Sequence, residues 1–140
     1  MTKADDMAAV ILVVEDIHET RDGIETLLIA DGYSVALARD EHDAIESAQR
    51  TRPDLILVSL AGSSHDVVFS ARSIRLRAGV EESVPVVVFC IEGIDEGEEV
   101  EIAENVHLTR PDNFNQLRAL IARLLNRNLI PLEAELMTSV

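Results

Sequence analysis

Short apolar runs alternate along this chain with segments in which apolar residues recur at helical spacing. The runs cover residues 10–14, 34–38, 55–59, 84–90 and 106–109. Alternation of this kind predicts repeated βα units, and continuously apolar runs are typical of parallel strands that are covered on both faces. We therefore predict an α/β domain of three layers, with a central parallel sheet of five strands between helices.

The segments between the runs carry the signals that start and end helices. Asp40, Asp66 and Asp112 each precede or begin such a segment, and we expect them to cap its first turn. In the first helix, the predicted inward face carries Ile24, Leu27 and Leu28. In the helix from about 66 to 78, three arginines are expected to lie in water: Arg72, Arg75 and Arg77.

The segment 91–106 is strongly acidic. It contains seven acids, two glycines and no basic residue, so at most a short or frayed helix is expected there. A solvated charged surface is the simplest interpretation. The alternative is a binding surface for a partner with a basic face, because seven acids would repel a second copy of themselves.

The composition limits the classes of protein. A net charge of −14 argues against direct binding to nucleic acid, whose phosphates need clustered Lys and Arg. One cysteine excludes an internal disulfide framework and favours a reducing cytoplasm. No apolar run approaches the roughly 18 residues of a membrane span, and the polar first residues are not a signal peptide. We expect a polar arm at 1–9, one domain at 10–128 and a tail at 129–140.

Polar residues stand at the ends of four apolar runs. Glu15 and Asp16 follow the first run, Ser59 ends the third, Cys90 ends the fourth, and Arg110 follows the last. The carboxyl ends of parallel strands share one edge of a sheet, where α/β folds bind ligands near the switch in strand order. The sequence therefore predicts a candidate site at this edge.

These residues and their spacing resemble the receiver domain of two-component response regulators over about residues 10–126. The resemblance implies the flavodoxin-like (βα)5 fold with strand order 2-1-3-4-5. It also implies that an acidic pair and an acceptor aspartate hold Mg²⁺ and that the aspartate takes a phosphoryl group. In the family, a Thr or Ser after the fourth strand and a Lys before a proline contact that phosphate.

The chain departs from this pattern at most of the positions that carry chemistry. The acidic pair, Glu15 and Asp16, is present, but Ser59 stands at the acceptor position. Cys90 replaces the hydroxyl residue, and Arg110 replaces the lysine before Pro111. At the switch position, where the family has an aromatic residue, the chain has His107, which we expect to be half-buried.

Charge suggests why these changes go together. A guanidinium can bridge carboxylates, so we hypothesise that Arg110 pairs with Asp16 or Glu15 and leaves the site without metal. The alternative is that Arg110 only follows the preference of this chain, in which eleven of the twelve basic residues are Arg. Mg²⁺ would bind weakly, at Asp16 and Glu15, if at all, and no other cofactor is expected.

The leading interpretation is an atypical single-domain response regulator that is not phosphorylated and acts through protein–protein contacts. One alternative is a working relay receiver with weakened metal and phosphate chemistry. A third class, a small hydrolase or redox protein, would use Ser59 with His18 and Asp16, or Cys90; no catalytic residue is expected on the leading interpretation. Asp54 lies at the opposite end of the third strand and is not expected to replace Ser59.

The predicted partner is another signalling protein, either a histidine kinase or an effector with a basic surface. Neither nucleic acid nor a membrane is expected as a partner. The tail carries Leu132, Leu136 and Met137, which would form one apolar patch. We expect this patch to dock on its own domain or to join two copies in a homodimer.

Overall fold

The computed structural model describes residues 8–89, 92–102 and 104–126. The described strands are β1 (Val10–Glu15), β2 (Ser34–Ala38), β3 (Leu55–Ser59), β4 (Val86–Phe89), β5 (Glu99–Ile102) and β6 (Val106–Thr109). The described helices are α1 (His18–Ala30), α2 (Glu41–Thr51), α3 (Ser64–Arg77) and α4 (Phe114–Asn126). Most of the predicted arm and all of the predicted tail lie outside the described residues, so that division of the chain stays a prediction.

The strands form one sheet in the order β2-β1-β3-β4-β6-β5. The first five strands of this order are parallel, which confirms the predicted α/β fold and its 2-1-3-4-5 strand order, with β6 in the fifth place. In β1 and β3, every residue up to the last is apolar, because layers of helices cover both faces. This order brings the carboxyl ends of β1 and β3 side by side in the middle of the sheet.

The acidic segment contains a strand, so the prediction of a frayed helix there is wrong. β5 runs antiparallel to β6, with Glu99 opposite Thr109 and Ile102 opposite Val106. Its sequence, Glu-Val-Glu-Ile, alternates polar and apolar residues with the period of two that a half-buried strand needs. The prediction rested on the number of acidic residues in the segment and did not take this alternation into account. The described chain therefore has four helices rather than the five that repeated βα units imply.

Alternate residues of the strands enter two separate cores. One core lies between the sheet and the pair α2 and α3, and it contains Val14, Ile56, Val58, Ala71, Ile74 and Val88. The other lies between the sheet and the pair α1 and α4, and it contains Val13, Leu28, Leu57, Val87, Ile121 and Leu124. Leu27, predicted to face inward on α1, is instead 44% exposed. None of the helices in the described part of the chain combines the length and apolarity that a membrane span requires.

The cap predicted for α2 is confirmed. The Asp40 carboxylate accepts a hydrogen bond from the Asp43 amide at 2.8 Å, and the Asp43 carboxylate accepts one from the Arg39 amide at 3.1 Å. Asp40 thus binds the amide of Asp43, and Asp43 binds the amide of the residue before Asp40. This reciprocal arrangement is like that of a capping box.

The caps predicted for α3 and α4 are wrong by a few residues. The Ser63 hydroxyl accepts from the Asp66 amide at 3.2 Å, so Asp66 lies in the first turn of α3 and does not cap it. The Asn113 side chain accepts from the Gln116 amide at 3.0 Å, and Asp112 precedes this cap. In each case another polar residue of the loop lies one position before the helix, where the cap geometry requires it.

Arg75 is buried, contrary to the prediction that it lies in water. Its side chain is 4% exposed, and its guanidinium donates to backbone carbonyls of two loops at the amino ends of β4 and β6. The acceptors are the carbonyl oxygens of Val84 at 2.9 Å, Asn105 at 3.3 Å, Glu82 at 3.5 Å, and Glu104. A guanidinium has five donors, so it can satisfy several buried carbonyls at once.

Candidate functional site

Glu15 and Ser59 form the centre of the site. They are partners in the register between β1 and β3, and both end their strands. The Glu15 side chain is 2% exposed. Its Oε2 accepts a hydrogen bond from the Ile17 amide at 3.1 Å, and the Ser59 side chain lies close enough to the carboxyl group to lower its pKa. Ser59 is therefore held against a carboxyl group.

Burial raises the pKa of Glu15 above its ordinary value of 4.5. The largest cause is the loss of water around the carboxylate, and the adjacent Asp16 raises the pKa further. Hydrogen bonds from the Ile17 amide and the Ser59 hydroxyl favour the ionised form and oppose this shift. The site thus holds a carboxyl group that ionises less readily than an exposed glutamate.

Asp16 connects β1 to the loop that follows β3. Its side chain is exposed, and its Oδ2 accepts a hydrogen bond from the Ala61 amide at 3.3 Å. One oxygen of each carboxylate in the acidic pair therefore already accepts from a backbone amide. Both residues lie at the edge of the sheet where they were predicted, whereas their contacts with the two backbone amides were not predicted.

Arg110 does not form the ion pair that we hypothesised. Its Nη1 donates to the Ile94 carbonyl at 3.3 Å, and no ion pair joins it to Glu15 or Asp16 within the described residues. Its backbone amide donates to the Glu98 carbonyl at 3.2 Å, and its carbonyl accepts from the Gly97 amide at 2.6 Å. The backbone of Arg110 thus pairs with Gly97 and Glu98, just before β5. Its side chain lies along the same segment, at Ile94.

The contacts described for His18 do not place it as a base for Ser59. His18 is exposed, and both side-chain contacts described for it are with its own helix: its Nε2 lies 3.2 Å from an Asp22 oxygen and its Nδ1 lies 3.1 Å from Arg21 Nη2. A serine needs a base in hydrogen-bond reach, and the described contacts of His18 do not include Ser59. Cys90, the other candidate nucleophile, lies outside the described residues.

The switch position is more deeply buried than predicted. His107 is buried rather than half-buried, and its Nε2 lies 2.7 Å from the Asn105 side-chain oxygen. It faces α4 across the sheet, beside Leu120 and Leu124. A histidine here satisfies a polar partner inside the fold, which an aromatic hydrocarbon ring would not do.

The loop after β3 contributes a contact that the sequence analysis missed. The Ser64 hydroxyl donates to the Glu92 carbonyl at 2.7 Å and so joins the start of α3 to the chain after β4. A cavity of about 220 Å³ lies between these two segments. Its lining includes Leu60, Gly62 and Phe89. The only indication of this contact in the sequence was a serine just before a predicted helix. The same pattern is equally typical of a helix cap.

The donor set fits a magnesium ion poorly. Mg²⁺ requires six oxygen ligands in near-octahedral geometry and is held in proteins mainly by carboxylates. The site offers Glu15 and Asp16, each with an oxygen already engaged, and the neutral hydroxyl of Ser59. Over residues 8–89, 92–102 and 104–126, no group of three or more His, Cys, Asp or Glu side chains is placed to hold a metal.

Comparison with known proteins agrees with this architecture. The family model described as the response regulator receiver domain matches residues 11–122. Response regulator MprA of Mycobacterium leprae (strain TN) is 28% identical over 125 residues, which cover 84% of this chain and 51% of that protein. MprA of Mycobacterium tuberculosis (strain ATCC 25618 / H37Rv) is 27% identical and is covered to 52%. The chain thus spans about half the length of these curated relatives.

Solved structures share the fold. Chemotaxis protein CheY4 of Vibrio cholerae superimposes with a TM-score of 0.64 at 20% identity, covering 84% of this chain and 98% of that one. The receiver domain of sensor histidine kinase PA1611 from Pseudomonas aeruginosa PAO1, which coordinates a magnesium ion in its active site cleft, gives 0.59 at 24% identity, with coverages of 85% and 98%. The family match and the shared sheet order lead to one conclusion: the chain belongs to the response regulator receiver domain family of two-component signalling.

Proposed function

We propose that this receiver domain is an atypical one, which acts through protein–protein contacts and is not phosphorylated on an aspartate. The observation that carries the proposal is the pairing of Ser59 with Glu15 at the strand ends. At the position where the family has its acceptor, the chain has a neutral hydroxyl on the residue that lies opposite the buried Glu15 in the sheet.

No neighbouring acid is placed to replace the missing acceptor. Asp54 is the acid at the other end of the β3 segment, and its Oδ2 accepts from the Val10 amide at 2.8 Å, where β1 begins. It therefore lies at the amino edge of the sheet, and the candidate site lies at the carboxyl edge. Glu15 is buried and Asp16 is bonded to the loop after β3.

The proposal does not require a metal. In the PA1611 receiver domain a magnesium ion lies in the active site cleft. Here the acidic pair offers two carboxylates with a serine beside them, which is one charged ligand fewer than the family's site provides. We propose that the domain acts without a cofactor and without catalysis of its own.

The surface chemistry supports a protein partner with a basic face. All seven acids of the segment after β4 are exposed, in a chain whose net charge is −14. Complementary charge speeds association and selects partners more than it adds affinity. Receiver domains interact with signalling proteins such as histidine kinases, and we propose a partner of that class, or an effector, whose contact surface is rich in Lys or Arg.

A second candidate function is a working relay receiver with weakened chemistry. The retention of both members of the acidic pair at the carboxyl edge favours it, since these residues would still attract a divalent cation. In that case a partner's receiver domain would supply the aspartate. Titration with Mg²⁺, followed by NMR, separates the candidates: saturable shifts confined to Glu15 and Asp16 favour the relay.

The decisive experiment is the intact mass after incubation with acetyl phosphate and Mg²⁺. The native chain is compared with the Ser59→Asp variant and with Ser59→Asn, which changes the shape equally without adding a carboxylate. We expect a gain of one phosphoryl group in Ser59→Asp alone. A gain in the native chain would overturn the proposal, and a gain in Ser59→Asn would place the acceptor elsewhere.

A further inference from the structure

The two edges of the sheet differ in how far they are covered. β2 forms one edge, and its residues after Ser34 are half-buried or buried, since α1 and α2 pack beside it. Among the described strands β5 forms the other edge, and three of its four residues are exposed. An exposed edge strand presents backbone donors and acceptors to which a further strand can add. We call this surface the β5 edge and define it by Glu99–Ile102.

The hydrogen bonds of β5 determine which of its peptide groups face outward. The Arg110 amide donates to the Glu98 carbonyl at 3.2 Å, so these residues form a hydrogen-bonded pair that continues the ladder of β5 and β6. Hydrogen-bonded and non-hydrogen-bonded pairs alternate along an antiparallel ladder. The amide and carbonyl of Val100 therefore point towards β6. Those of Glu99 and Glu101 point away from β6, over the β5 edge.

The side chains of β5 have different chemistry on the two faces of the sheet. Ile102 packs against the core under α2 and α3, and Val100 lies on the same face because alternate residues of a strand share a face. Glu99 and Glu101 lie on the face of α4, where Glu99 forms an ion pair with Arg123. Side chains directly opposite each other on neighbouring strands interact. A strand added here should therefore alternate basic residues with apolar ones.

The surroundings of the β5 edge stay acidic after their ion pairs are taken into account. The segment 92–104 contains seven acids, and all of them are exposed. Four arginines are described in contact with it: Arg72, Arg75, Arg110 and Arg123. Seven carboxylates against four guanidinium groups leave an excess of three negative charges. This charge attracts a basic strand and repels an acidic one.

A second copy of the chain does not suit the β5 edge. Two such edges side by side would bring Glu99 and Glu101 next to the same residues of the other copy, and like charges directly opposite each other destabilise a sheet. The acids thus protect the edge against self-association and still accept a strand of opposite charge. The alternative is that the acids only protect the edge, and it predicts that no strand binds there.

We propose that the β5 edge binds an extended segment of a partner protein in which basic residues alternate with β-branched apolar residues. The segment adds antiparallel to β5 and extends the sheet by one strand. Its basic residues lie opposite Glu99 and Glu101, and its apolar residues lie opposite Val100 and Ile102. The inference rests on the proposed function, because it specifies how a partner with a basic face is bound. It does not depend on whether position 59 accepts phosphate.

Backbone methylation of a peptide probe tests strand addition separately from charge. The probe is a capped synthetic peptide that repeats Arg-Val, and its binding to the ¹⁵N-labelled full chain is followed by NMR. In an antiparallel ladder the residues opposite Glu99 and Glu101 direct their own amides towards β5. N-methylation of the arginine amides should therefore weaken binding about tenfold or more, since it removes several hydrogen bonds. N-methylation of the valine amides, which face solvent, should leave the affinity unchanged.

Two variants of the protein provide the matched comparison. Glu99→Pro removes an amide that points over the β5 edge, at the first residue of the strand, where proline is tolerated. Glu99→Gln removes the charge and keeps the amide. We expect Glu99→Pro to bind the peptide several-fold more weakly than Glu99→Gln does, with shifts at residues 99–102 in the native chain.

The outcomes distinguish this inference from the proposed function. Equal binding of the two methylated peptides, or a preference for the one methylated on arginine, would overturn antiparallel addition and leave a partner with a basic face in place. No saturable shift at residues 99–102 with any of the peptides would overturn the inference as well. Neither result bears on phosphorylation, which the incubation with acetyl phosphate tests by itself.

Discussion

The buried carboxyl of Glu15 lies beside the Ser59 hydroxyl, at adjacent ends of β1 and β3. A hydroxyl stabilises the ionised carboxylate by donating a hydrogen bond, whereas an aspartate would oppose it with a second negative charge. On our proposal, a serine at this position allows a receiver fold to keep its acidic pair without a bound cation. The stability of the site should therefore depend on what stands at position 59.

We expect Ser59→Asp to lower the free energy of unfolding in the absence of divalent cations. Three carboxylates would then share one partly buried site, and like charges at this separation cost energy that only a cation offsets. Mg²⁺ should restore the loss, by about 2.7 kcal/mol once free Mg²⁺ reaches about 100 times its dissociation constant. Urea unfolding with and without Mg²⁺ measures both effects.

The matched control for this prediction is Ser59→Asn, which has the size of aspartate without its charge. Its stability should not respond to Mg²⁺, and neither should that of the native chain. An equal response of all three proteins to Mg²⁺ would mean that the cation acts elsewhere on this acidic surface and not at position 59.

The stability of the native chain relative to Glu15→Gln should fall as the pH rises. Glu15 has a pKa raised by burial above its ordinary 4.5, so its protonated form is the one that the fold favours. Its contribution is fully present below pH 4.5 and is lost as the pH rises through the folded-state pKa. Gln keeps an oxygen to accept from the Ile17 amide, so it removes only the titration.

Paired unfolding curves of the native chain and Glu15→Gln between about pH 4 and pH 8 test the direction of this pH dependence. The range begins near the ordinary pKa of Glu and extends above it. Asp16→Asn provides a second check. Asp16 raises the pKa of Glu15, so its neutralisation should move the loss of stability to lower pH. A difference in stability that grows with pH in favour of the native chain would contradict the assignment.

The places of the five parallel strands could be predicted because most of them are short apolar runs separated by helical segments, and their order followed from the resemblance to receiver domains. β5 could not be predicted in the same way. Its four residues are half acidic and they face solvent on one edge, so composition outweighed the alternation that identifies a strand. The segment forms a strand because of a tertiary contact. Without β5, β6 would be an edge strand with unpaired backbone groups, and β5 forms hydrogen bonds with them.

The positions of the candidate site followed from strand ends, but its contacts did not. Glu15 and Ser59 are brought together by the register of β1 and β3, as their places at the ends of apolar runs implied. The partner of Arg110 depends on β5, whose approach holds the arginine backbone against Gly97 and Glu98. Since the sequence did not reveal β5, an ion pair with Glu15 or Asp16 was our hypothesis for Arg110.

Arg75→Met should destabilise the fold by about 2–4 kcal/mol, because hydrogen bonds from a charged donor contribute about 1.5–3 kcal/mol and their loss leaves carbonyls unsatisfied. The buried guanidinium donates to carbonyls before β4 and before β6, including those of Val84 and Asn105. Burial lowers the pKa of Arg75, although the group stays charged. Urea unfolding at neutral pH gives the change directly.

The control for Arg75 is Arg50→Met, at an exposed position near the end of α2. Surface substitutions of this kind usually change stability by no more than about 0.5 kcal/mol. Hydrogen exchange should also become faster in the chain around residues 82–84 and 104–105 of Arg75→Met, which Arg75 holds together. Equal effects of the two substitutions would show that the guanidinium contributes only a surface charge.

Asp31 and Arg118 form a two-bond ion pair that joins the end of α1 to α4. Arg118 Nε donates to one carboxylate oxygen at 2.7 Å and Nη2 donates to the other at 2.6 Å. The hydrogen bonds from Arg118 lower the pKa of Asp31 below its ordinary 3.8. This contribution to stability is therefore present above pH 3.8 and is lost as the pH falls through the folded-state pKa of Asp31.

We expect Arg118→Gln to raise the pKa of Asp31 towards its ordinary value, as followed by the side-chain carboxyl ¹³C signal in an NMR titration. Arg118→Lys should raise it less, because an ammonium keeps the charge but loses the planar pair of donors that fits a carboxylate. Arg123→Gln is the control, since that arginine pairs with Glu99 and should leave Asp31 unchanged. A pKa of Asp31 that does not move in Arg118→Gln would mean that the helices are not joined by this pair in solution.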